Sequence, residues 1–317
     1  MDPHDGFGAR SFAGEDRAGA VETLQLTPAL ATVEAERAIR ERAARVHPAV
    51  VPVDGIERDA EGLRLVTRLP PGVRLTRLMG ALERGDLRLP AAARLELVAA
   101  LVQAVAQLHA LPGAGAHGAI APQHVVVTVD GTVRLTHGVL GTAIERLQLN
   151  RDQLWRQFTL TMPSSASLPR FDQRADVPQL GGVALAIMLA RRLREDEYPR
   201  GMAASIAAST ANLAASAAYQ SGLRLWLEQS LQLHPRVVFG SAIDAEAALG
   251  QLLVLSASRR AAQFTLQAAV RQLLGDHPPP RALAPGPTSP PSTPGTPPLL
   301  FVPPSSSDPL LHHVVVA

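Results

Sequence analysis

The chain has 317 residues, 46% hydrophobic and 18% charged, enough apolar material for a large buried core. Cysteine is absent and all 30 basic positions are arginine, which excludes disulfides, thiolate chemistry, Cys-ligated metals and every mechanism that needs a lysine amine. Arginine does not titrate near neutrality, so a pI near 9.8 sits on a net charge of only +2 and no nucleic-acid partner is expected.

The opening MDPHDGFGAR lacks a basic segment followed by an apolar stretch, so no signal peptide is read and a cytoplasmic location is expected. Residues 34–46 (EAERAIRERAARV) read as an Arg/Glu-rich helix broken at His47-Pro48. Residues 49–53 and 63–67 read as strands around an Asp54-Gly55 turn, and 75–82 as a short helix. Pro90 then opens a long apolar helix over 91–111. Two β-rich runs, 125–129 and 133–136, flank Asp130-Gly131, a strong hairpin signal.

From Asp176 onward the pattern is helical, over 177–193, 202–218, 222–233 and 243–274. The longest apolar runs, 97–106 and 181–190, fall short of the ~20 residues that cross a bilayer, so no membrane span is expected. The last segment, 277–317, holds 13 of the 27 prolines and reads as a disordered polyproline-type linker.

The stretch HGAIAPQHVVVTVDGTVRLTHGV, residues 117–139, resembles the catalytic and metal-binding loops of protein kinases. His117 falls on the motif histidine, Pro122 on the loop proline, Asp130-Gly131 on the hairpin turn and His137 on the metal-binding aspartate. Other segments agree in order. Residues 34–48 look like helix C, VVPVDGI to LRLVTRL like strands 4 and 5, and LPPGVRLTRLM like the hinge and helix D. ADVPQLGGVALAIML, with Asp176 and Gly181, looks like helix F, and LQLHPRVVFGSAIDAEAAL like the closing helices of bacterial serine/threonine kinases.

The resemblance implies an α+β, protein-kinase-like two-lobed fold with a reduced β-containing N-lobe and a helical C-lobe. The expected boundaries are a disordered or divergent segment over 1–19, an N-lobe over about 20–69, a C-lobe over about 70–276 and the Pro-rich tail.

The chemistry that this family uses is missing. Phosphoryl transfer there needs a phosphate-binding lysine, a proton-accepting aspartate and an Asn and an Asp on magnesium. The segment expected to be the third strand, VETLQLTP, offers Leu24 or a neighbour in place of the lysine. Ala119 takes the aspartate position, Ala121 the loop lysine, and His124 and His137 the two metal positions. The glycines of DGFGARSFAGED do not have the spacing of a nucleotide loop. In the family His117 braces the metal-binding loop and Asp176 holds the catalytic-loop backbone, so both are expected to be structural, as are Pro122 and Gly181. Glu36 or Glu41 would be the helix C glutamate, without its lysine.

A His124–His137 pair facing across the former magnesium site would suit zinc, copper or nickel, against the simpler reading of two surface positions that drifted. The expectation is therefore no catalytic residue, no cofactor and no metal. The function expected is a pseudokinase that binds a protein partner, a signalling kinase or its substrate, as a regulatory or scaffold module. The alternative is a divergent ATP- and magnesium-dependent kinase, or a nucleotide sensor, with Arg64, Arg68 or Arg134 replacing lysine on phosphate.

Overall fold

Along Gly19–Leu26 (β2) and Gly62–Arg68 (β4) every second side chain is buried, the period-two pattern of a sheet with one covered face. The computed structural model describes residues 6–16, 19–45, 47–113, 115–163, 168–211, 213, 216–234, 236–254 and 259–275. It places these strands in a four-stranded antiparallel sheet in the order Gly8–Asp16 (β1), β2, β4, Gly55–Asp59 (β3). Helix α1 (Val33–Ala43) is capped by Thr32, whose hydroxyl accepts from the Ala35 amide. It turns Ala35, Ala38 and Ile39 inward.

The Asp130-Gly131 turn closes a real hairpin between Val125–Thr128 (β6) and Val133–Leu135 (β7), and Gly72–Arg74 (β5) completes a second sheet in the order β5, β6, β7. Gly131 has φ +81°, which suits glycine. The Asp130 carboxylate accepts from the Thr132 amide and from the hydroxyls of Thr128 and Thr132.

Helices make up the rest: α2 (Leu75–Arg84), α3 (Ala91–Ala110), α4 (Gly141–Glu145), α5 (Arg151–Phe158), α6 (Gln173–Leu189), α7 (Met202–Ala211), α8 (Ala217–Ser230), α9 (Ala242–Val254) and α10 (Arg259–Gly275). The core of this lobe forms around α3 and α6, which are apolar nearly all round, as central helices are. α9 and α10 pack on α3, and α8 on α6. Gly181 lets α8 approach: a Cβ there would sit 3.0 Å from the Ser230 carbonyl carbon. The described residues belong to one compact unit, Met1–Pro278. The architecture is the expected α+β one, a β-containing N-lobe ahead of a helical C-lobe.

Several local expectations are corrected. Residues 8–16 form strand β1, so the folded region begins inside the segment set apart as 1–19. Residues 49–53 form only an isolated bridge from Val50 to Leu135, and the paired strands lie at 55–59 and 62–68. The helices expected at 202–218 and 222–233 run over 202–211 and 217–230, and the one expected at 243–274 divides into 242–254 and 259–275. α3 reaches 20 residues, long and apolar enough by composition to cross a membrane, but it is the central core helix with Leu97, Leu101 and Val105 fully buried. The Pro-rich segment 277–317 lies outside the described residues.

Candidate functional site

The strand alternation that buries Leu24 and Leu26 also turns Glu22 inward, towards the cleft between the lobes. Its strand partner on β4 is Thr67, also fully buried. A carboxylate without solvent needs compensating charge, and two arginines supply it. The Arg10 Nε lies 3.2 Å from Glu22 Oε1, and the Arg74 guanidinium donates to Glu22 Oε2. Arg74 also donates to the Gln123 carbonyl at 2.5 Å and to the Thr136 hydroxyl at 3.2 Å. Burial pushes the Glu22 carboxyl up while both guanidiniums pull it back. Burial in turn lowers Arg74, and brings Arg10 down to about 10.

His124 and His137 lie beneath this triad with ring centroids 5.2 Å apart. Both are fully buried, which overturns the reading of drifted surface positions. The His124 Nδ1 donates to the Ala119 carbonyl at 2.7 Å, leaving Nε2 to accept from Arg10 at 3.2 Å. His137 Nε2 is 3.5 Å from Glu22 Oε2. Burial first, then neighbouring positive charge, holds both imidazoles well below their usual pKa, so both are neutral. His137 adopts φ +60°, a left-handed backbone that costs a non-glycine residue of order 1–3 kcal/mol.

Phe7 closes the cluster. Its ring packs 4.2 Å from His124 and 5.0 Å from Phe158, with no solvent exposure.

The remaining expected residues form the framework under the cleft. Asp176, fully buried on α6, accepts from the amides of His117 at 2.6 Å and Gly118 at 2.7 Å, and its Oδ2 is 3.0 Å from His109 Nε2. The His117 ring packs on Gly138, and its Nδ1 accepts from the Ala119 amide at 3.2 Å. Ala119 and Ala121 are fully buried, each presenting only a methyl group. Pro122 opens the short 3-10 turn Pro122–His124. Glu36 lies away from the cleft, paired with Arg40 at 2.7 Å and Arg58 at 2.5 Å.

The arginines proposed as lysine substitutes are elsewhere. Arg64 pairs with Asp59 at 2.7 Å, Arg68 with Asp54, and Arg134 donates to the Pro48 carbonyl. Leu24 likewise belongs to the N-lobe core. The residues that reach the cleft, Arg10, Glu22 and Arg74, were not singled out from sequence. The available signal was an ionisable residue at the inward phase of VETLQL.

These groups do not fit magnesium. Magnesium prefers near-octahedral oxygen ligands. The carboxylate beside His137, Glu22, is held by two guanidiniums, and the adjoining rings are neutral nitrogen bases. Among the described residues, no three His, Asp or Glu side chains converge as metal ligands. A transition metal on the His pair would have to displace Arg10 from His124 Nε2, next to the positive charge of Arg74. In front of the cluster lies a cavity of about 890 Å³, lined by Arg10, Phe12, Arg74, Gln123 and Trp155 among others.

No family model and no curated protein matches the chain. Solved structures do. A crystal structure of the Mycobacterium tuberculosis PknI kinase domain is 21% identical, with 78% of this chain and 91% of that chain covered and a TM-score of 0.52. A double mutant of the same domain is 20% identical over 80% and 93% of the two chains, with a TM-score of 0.54. With the lobe arrangement above, this likeness shows that the chain has the two-lobed protein-kinase fold.

Proposed function

We propose that this kinase-fold chain does not transfer phosphoryl groups and acts by binding a protein partner, as a regulatory or scaffold module. The observation that carries the reading is the Arg10–Glu22–Arg74 triad set against His137. Transfer to a hydroxyl needs a positioned proton acceptor and metal-held phosphates. Ala119 offers no acceptor, and the His124–His137 floor is neutral, desolvated and flanked by guanidiniums. What remains is a two-lobed body with exposed apolar side chains, among them Phe12 at the cleft and Phe264 on α10.

A nucleotide sensor that works without metal is the second reading, favoured by the 890 Å³ cavity lined by Arg10 and Arg74. Thermal unfolding of the full chain separates the two. A ligand that binds the folded state at 100 times its Kd adds about 2.7 kcal/mol, a shift of several degrees. No shift with ATP, with or without magnesium, is the expected result. A shift that persists in EDTA would favour the sensor, and a magnesium-dependent shift with phosphate release would overturn the proposal.

A further inference from the structure

Strand β1 ends its sheet: it pairs with β2 on one side and with no described strand on the other. The register and one ladder bond set which of its groups face outwards. The Thr27 amide donates to the Phe7 carbonyl at 3.1 Å, and Gly8 lies opposite Leu26, Arg10 opposite Leu24 and Phe12 opposite Glu22. Bonded and non-bonded positions alternate in an antiparallel pair, so Phe7, Ala9 and Ser11 bond towards β2. Phe12 turns its amide and carbonyl to the open edge, where no described group engages them.

Sheet edges are ordinarily blunted by charged side chains. The opposite edge, β3, follows that rule and exposes Glu57, Arg58 and Asp59. β1 exposes Ala9, Ser11, Phe12 and Ala13 instead, with Phe12 57% exposed. Directly opposed residues share a face of the sheet, so Gly8, Arg10 and Phe12 lie on the cleft face with Glu22 and Leu24. All three line the cavity of about 890 Å³, as do Arg74 and Arg192, and no carboxylate lines it among the described residues. A strand added to β1 would project every second side chain over this basic wall.

We propose that the β1 edge takes an extended segment of the protein partner as an added antiparallel strand. Its acidic side chain lies over the cavity opposite Arg10, and an apolar side chain two positions earlier packs against Phe12. Main-chain bonds to the Phe12 amide and carbonyl supply affinity, and the two side chains supply selectivity. Arg10 and Arg74 keep their contacts with Glu22; the acid is selected by the charge of the wall as a whole. The inference rests on the partner-binding reading above and names the kind of segment recognised.

The test is a fluorescence-anisotropy titration of the full chain against the peptide TFTETVT, with an N-terminal fluorescein and a C-terminal amide. Saturable binding is expected, about fivefold weaker for TFTQTVT, which lacks the charge. N-methylation of the Phe and Glu amides, which face β1, should abolish binding, and methylation of the threonine amides between and after them, which face away, should not. Phe12→Pro removes the outward amide without breaking the β1–β2 ladder and should weaken binding about tenfold. Absence of saturable binding, equal affinity for the two peptides, or equal effects of the two methylation patterns would overturn the proposal, even if Phe12→Pro fails to fold. Dimerisation of the chain that is lost in Phe12→Pro would make a second copy the occupant and overturn it too. Mass spectrometry of the peptide after incubation with ATP and magnesium keeps the two readings apart. A phosphorylated threonine overturns the non-catalytic reading, whereas a peptide neither bound nor modified overturns the added strand alone.

Discussion

Nε2 of His137 lies 3.5 Å from Oε2 of Glu22, with neither side chain exposed to solvent. Between the lobes of this kinase fold, a neutral imidazole and a carboxylate shared by two guanidiniums meet at the base of the sheet. Each group depends on the others for compensation, so removing one leaves a buried charge behind.

Glu22→Gln should therefore lower stability by about 3–5 kcal/mol, the range for stranding a buried charge. Arg10 and Arg74 would lose their shared carboxylate while staying largely buried, at 12% and 9% side-chain exposure. Urea unfolding of Glu22→Gln, Arg74→Gln and the double variant checks this. The double should cost clearly less than the sum of the singles, and simple additivity would contradict the coupling.

Stability should fall on acidification below about pH 6.5. His117 is pushed down to about 4, and His124 and His137 well below their ordinary value. Each folded imidazole resists a proton that the unfolded chain accepts near 6.5, so stability is full above that pH and is lost as pH drops. For His117 alone the window from about 6.5 to about 4 corresponds to about 3 kcal/mol. Glu22, raised by burial, acts in the opposite sense above its ordinary value, one group against these three imidazoles and His47, which burial also lowers. Urea midpoints between pH 8 and 4.5 should show the fall, and a flat profile would refute the buried neutral assignment.

Asp176→Asn should destabilise by roughly 3 kcal/mol, since a carboxylate accepting two backbone amides is replaced by one carbonyl acceptor and an amide donor facing N–H groups. Hydrogen exchange should speed up most at the His117 and Gly118 amides. Protection unchanged at those two amides would mean that something other than Asp176 holds the loop.

Gly118→Ala should be among the more damaging single changes. Gly118 has φ +74°, and an added Cβ would stand 2.8 Å from the Gly141 Cα, a backbone atom that cannot rotate away. The left-handed conformation alone costs alanine about 1–2 kcal/mol. Gly85→Ala is the control, with φ +78° and nothing within 4 Å of the added Cβ. The two thermal midpoints should differ by the clash alone, with Gly118→Ala the lower.

A single Ala119→Asp substitution should leave phosphoryl transfer undetectable. It would restore an acceptor oxygen, but His124 and His137 stay neutral beside Arg10 and Arg74, and such catalytic groups act as a unit. Radiolabel transfer from ATP by this variant would contradict the reading of the cleft.

The sequence by itself determined what nearby residues decide. Asp130-Gly131 forces a tight turn, so the β6–β7 hairpin was legible from its two central residues. The apolar runs of α3 and α6 made both helices plain, because continuous burial needs no partner pattern to be recognised. The ordered resemblance around His117 and Asp176 carried the fold. Strand β1 was missed because GARSFAGED carries little β-propensity and is a strand only by virtue of pairing with β2.

Tertiary structure alone decided the contents of the cleft. Glu22 and Arg74 are 52 positions apart and His137 is further still, and only the β2–β4 register turns Glu22 inward. Burial, which depends on what the rest of the chain covers, then decided that His124 and His137 are neutral packing groups. The same holds for His117, whose Nδ1 accepts from the Ala119 amide only in the folded chain.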